Sequence, residues 1–98
     1  MNITKLANGN LKMTVADELE QSAIKRMHNK QTKNAEGRFV KRFLRQHGYK
    51  TTLPEKCGAL TDATLITDGQ DVWGDMNYQV SSFLEALSVG KEIVWQKG

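Results

Sequence analysis

Three groups of side chains in this 98-residue chain have types and spacings that chemistry can use. Arg38, Lys41, Arg42 and Arg45 recur at i, i+3, i+4 and i+7, so on a helix they share one stripe. A stripe of cations meets phosphates or carboxylates, and arginine adds a planar fork suited to bidentate pairing. Lys30 and Lys33, in the polar segment just before it, extend the patch. The second group is Cys57 with His28 or His47, a nucleophile and a base. No third orienting residue accompanies it, and Cys57 precedes Gly58 at an expected turn, so it reads as a small structural side chain. The third is Asp62, Asp68, Asp71 and Asp75, four carboxylates of the kind hard cations prefer. They lack the alternating Asp/Asn run, the glycine and the closing glutamate of a calcium loop. Asp68-Gly69 and Gly74-Asp75 read as turns instead. Two histidines nineteen residues apart and one cysteine make no zinc set. Asn8-Gly9-Asn10 is too short for a phosphate loop and has no helix directly behind it. The expectation is a protein without catalytic residues, metal or cofactor.

The charge pattern singles out the first group. The net charge is +3, but residues 25–50 hold nine basic side chains against Glu36 alone. The segments on either side are mildly acidic. A basic block of this kind draws in nucleic acid, an anionic membrane or an acidic protein surface. Three readings of the stripe stand together: a solvated helix face, the site of a protein partner, and a contact for DNA or RNA. Gln46 is the only amide near the end of the stripe, so phosphate contact is expected over base readout. The seven-residue polar stretch before the helix is too long for a helix-turn-helix.

The elements that must carry these residues follow from pattern. Asn8-Gly9 between two short runs predicts a hairpin over 2–7 and 10–15 with a type I′ turn, Leu11, Met13 and Val15 facing inward. Thr14 and Asp17 form a loose capping box for a helix over 16–29. Residues 28–34 hold no apolar side chain and predict a polar linker able to move, with an exposed helical extension as the alternative. Ala35, Phe39, Val40, Phe43, Leu44 and His47 give the apolar stripe of a helix over 35–47, with Gly48 as its cap. Tyr49 to Leu53 reads as extended, and Pro54 to Lys56 as a turn. Ala63 to Thr67 and Asp71 to Trp73 form a second hairpin around Asp68-Gly69. Ser82 and Glu85 predict a capping box for a third helix over 82–89, stopped by Gly90. Ile93 to Trp95 is a last strand, and a strand over 92–96 at a sheet edge would pair across a dimer. Trp73 and Trp95 are expected in the core, and Tyr78 near a turn and partly exposed. The order ββααβββαβ predicts one α+β domain over 1–98: a small antiparallel or mixed sheet with about three helices on one face.

Size and composition agree with one core. Hydrophobic residues make up 39% and charged residues 26%, which is not a disordered composition. No apolar run approaches the ~20 residues of a membrane span, and the N-terminus shows no signal-peptide pattern. A lone cysteine and these absences lead to the expectation of a soluble, intracellular protein.

Both ends of the chain also resemble a known group. Ile3 to Lys12, Gly58 to Ala63, Trp73, Tyr78-Gln79 and Gly90 to Val94 are similar to small bacteriophage and prophage accessory proteins. The similarity covers about half the chain and leaves out the basic block. The resemblance implies a compact viral protein in the cytoplasm of a bacterial host. Such a protein would bind a host protein or nucleoprotein for host takeover or anti-defence, as anti-CRISPR inhibitors do. It carries no catalytic residues over. The resulting expectation is a non-enzymatic protein acting through Lys30, Lys33, Arg38, Lys41, Arg42 and Arg45, with a nucleic-acid-binding module as the alternative.

Overall fold

The computed structural model describes residues 1–29, 33–51 and 60–97; of 33–35 only the backbone is described. Five strands, β1 (Asn2–Lys5), β2 (Leu11–Thr14), β3 (Ala63–Thr67), β4 (Gln70–Asp71) and β5 (Ile93–Lys97), form one antiparallel sheet. Their order across the sheet is β1-β2-β5-β3-β4. Three helices, α1 (Glu18–Asn29), α2 (Lys33–Gln46) and α3 (Met76–Ser88), complete an α+β fold. They pack on the sheet, as the pattern predicts.

The core lies between that sheet face and the helices. Leu11 and Met13 of β2, Leu65 of β3, and Ile93 and Trp95 of β5 point to one side and are buried. The register pairs Leu11 with Trp95 and Trp95 with Leu65, which puts all three on the same face. Val80, Phe83, Leu84 and Leu87 of α3 close over them, and Val40 and Leu44 of α2 join the same cluster. Phe83 stands between Phe43 and Trp95, with ring centroids 6.1 and 5.8 Å away, inside the range of favourable aromatic pairs.

Several local expectations change. The first turn is closed by the Gly9 N–H on the Leu6 carbonyl, and Gly9 alone in it has positive φ. That is a turn followed by a glycine bulge rather than type I′. The type I′ geometry appears at Asp68-Gly69, where both residues have positive φ. Thr14 belongs to β2 and caps nothing; Asp17 Oδ1 accepts the Leu19 N–H and starts α1. α3 begins six residues earlier than expected. Asp75 is its N-cap, accepting the Tyr78 N–H at 2.8 Å, and Ser82 lies inside the helix. The missed signal is Met76 and Val80, which carry the apolar period of Phe83 back about two turns. His28 and Asn29 end α1, and Lys33 and Asn34 begin α2, so the linker expected over 28–34 shrinks to 30–32, which lie outside the described residues.

Gly48 and Gly90 end α2 and α3 in the same way. The Tyr49 N–H returns to Leu44 and the Gly48 N–H to Arg45; the Lys91 N–H returns to Ala86 and the Gly90 N–H to Leu87. Both are Schellman closures, and both glycines have positive φ. The returning strand of the second hairpin is only Gln70–Asp71, so Trp73 leaves the sheet and is 76% exposed. The expectation that it fills the core is corrected. β5 sits between β2 and β3 with both edges paired, so it offers no edge to a second copy. Of the extended segment expected after Gly48, the described part shows one bridge, Thr51 with Thr61. Leu53, the turn at Pro54 to Lys56, and Cys57 lie outside the described residues.

Candidate functional site

The basic stripe gets its direction from the apolar one. Val40 and Leu44 are fully buried and Phe43 is half-buried against Phe83, which fixes the rotation of α2 on the core. Helical geometry then turns Arg38, Arg42 and Arg45 outward, and all three are exposed; Lys41 is intermediate. These four residues and Gln46 line one cleft of about 410 Å³. Four of the six expected site residues therefore meet at one place. Lys33 is the first residue of α2, with its side chain outside the described part, and Lys30 lies outside altogether.

Inside the cleft the cations differ. The Arg45 Nε–H donates to Thr51 Oγ1 at 2.9 Å, which anchors the guanidinium beside the Schellman turn. Among the described residues, Lys41 and Arg42 make no ion pair. On the opposite flank of α2, Phe39 is partly exposed, which gives the basic face an aromatic border.

The other groups take structural or separate roles. Lys91 pairs with Asp68 at 3.0 Å, Asp75 caps α3, and the Thr61 hydroxyl contacts Asp62. Among the described residues no three His, Cys, Asp or Glu side chains converge as metal ligands. The His47 ring lies tilted by 50° against Phe43, with centroids 4.6 Å apart. His28 lies 3.6 Å from Glu36, a contact that sequence pattern did not reveal. No helix among the described residues is long and apolar enough to cross a membrane.

Tyr49 anchors the end of α2 to the sheet. Its hydroxyl donates to the carbonyls of Gly9 and Trp95. Burial raises its phenol above the ordinary tyrosine value, and the nearby Asp62 carboxylate adds to the rise. The site is thus a solvent-facing cationic cleft on a helix held at its C-terminal end by a glycine cap and a tyrosine bolt. No protein-family model, no curated protein and no solved structure matches the chain.

Proposed function

We propose that this is a non-enzymatic binding protein that engages an acidic host protein or nucleoprotein through the outer face of α2. The observation that carries the reading is the convergence of Arg38, Lys41, Arg42 and Arg45 on one cleft. Its support from sequence is the basic block, in which Glu36 is the only acid, and Glu36 is turned into the protein and away from the stripe. The arginine content favours carboxylates or phosphates held bidentately over a loose ionic cloud. The resemblance of both chain ends to phage accessory proteins supports a setting in a bacterial cytoplasm and a role in host takeover or anti-defence. The test is capture from a bacterial lysate by the wild type and by a variant with all four cations changed to Glu, with and without nuclease. A partner that survives nuclease and is lost with the charge reversal fits the proposal.

The alternative is a nucleic-acid-binding module that makes mainly phosphate contacts. The concave, arginine-rich lining favours it, since phosphates project toward such a surface. It predicts anisotropy titrations with DNA whose log–log salt slope is about −3 to −4 if four phosphates are neutralised. A flat, salt-insensitive signal would remove this alternative.

A further inference from the structure

A second concavity lies on the other side of α2, and its chemistry is opposite. Glu36, in the first turn of α2, is only 4% exposed although it is a carboxylate. Its Oε1 receives no hydrogen bond from the described residues, and neither does His28 Nδ1 beside it. The 3.6 Å between these two atoms is an ion-pair contact when His28 carries a proton on both ring nitrogens, but it is too long for a hydrogen bond. A buried carboxylate oxygen without a donor is costly. Glu36 forms part of the lining of a cavity of about 180 Å³, together with Asn77, Tyr78, Val80 and Ser81 of α3. A cavity of about 150 Å³ already holds a molecule the size of benzene.

We infer that this cavity binds a guanidinium group, with Glu36 as its counter-ion. The α2 and α3 N-termini near it carry only partial positive charge, roughly half an elementary charge each. The Asp75 carboxylate already answers the α3 end through the Tyr78 N–H. Asn77 and Ser81 bring neutral oxygen acceptors, so a flat, many-donor cation is met from several directions. Tyr78 is 56% exposed and gives the rim an aromatic ring on which a guanidinium stacks. Gly74 keeps that ring in place: a Cβ there would come within 2.7 Å of Tyr78 Cδ1. A metal ion fits less well, because no third His, Cys, Asp or Glu among the described residues joins His28 and Glu36. The site is independent of the basic face.

The test is NMR titration of the full chain with methylguanidinium, in buffer alkaline enough to keep imidazoles neutral. Saturable amide shifts at Asn77, Tyr78 and Ser81 are expected, with a weaker response to methylammonium. Binding should fall about tenfold or more in Glu36→Gln, the loss of a charge-assisted contact. Because Glu36 is buried, Asn77→Lys is the second variant; it places a cation at the cavity from an exposed position and should abolish the shifts with the fold intact. No shift at these amides, shifts unchanged in a folded Asn77→Lys variant, or a stronger response to methylammonium would overturn the inference. Capped arginine amide against free arginine separates the sources: tighter binding of the capped form, the expected result, marks an arginine side chain of a polypeptide, and tighter binding of the free amino acid marks a small-molecule ligand.

Discussion

Single side chains decide more of this fold than their types announce. Tyr49→Phe removes the hydroxyl that holds two carbonyls, so it should cost about 1 kcal/mol in denaturant unfolding. The same residue sets a pH dependence. The folded state holds the phenol proton more tightly than the unfolded chain, because burial and then Asp62 raise it. That contribution is intact below about pH 10 and fades as pH rises through the folded value. Stability curves of Tyr49→Phe should lack this alkaline fall. The two tryptophans separate cleanly: Trp95 is fully buried, so Trp95→Ala should cost about 3–5 kcal/mol. Trp73→Ser should stay within about 0.5 kcal/mol. Sequence alone does not distinguish them, because both sit in short strand-like runs. Only the two-residue length of β4 releases Trp73 into solvent. The burial of Glu36 was likewise hidden, since its sequence neighbours mark the basic block while its helix position points inward.

At the scale of elements, caps were legible where glycine makes them and obscure where the apolar period overlaps a turn. Gly48 and Gly90 stand where the pattern puts them, because a positive φ after the last helical turn has few other solutions. Gly90→Ala should therefore cost about 1–2 kcal/mol in thermal or denaturant unfolding. Gly37 is the opposite case: it is interior to α2 with nothing within 4 Å of a new Cβ. Gly37→Ala should stabilise by about 0.5–1 kcal/mol. Sequence obscures the start of α3 because Ser82 and Glu85 match a capping box, whereas the working cap is Asp75. Asp75→Ala should cost about 1 kcal/mol, and Ser82→Ala much less. The strands were legible by alternation, and β3 falls on its expected residues. The position of β5 in the sheet was not, because pairing between distant strands leaves no local pattern; the register with β2 and β3 decides it.

At the scale of the whole molecule, one buried face of α2 positions two surfaces of opposite charge. The apolar stripe seats the helix on α3 and the sheet, and this single rotation sends four cations outward and one carboxylate inward. The cationic stripe was legible because charge and period coincide on one helix. The cavity at Glu36 was not, because α2 and α3 build it together. We propose the outer face of α2 as the contact surface for an acidic partner. The most direct test compares wild type with the variant carrying Glu at positions 38, 41, 42 and 45, both shown to be folded by matching unfolding curves, as baits in nuclease-treated bacterial lysate. A stoichiometric partner retained by the wild type, released by salt and absent with the charge-reversed bait is expected. The same partner held equally by both baits would contradict the proposal.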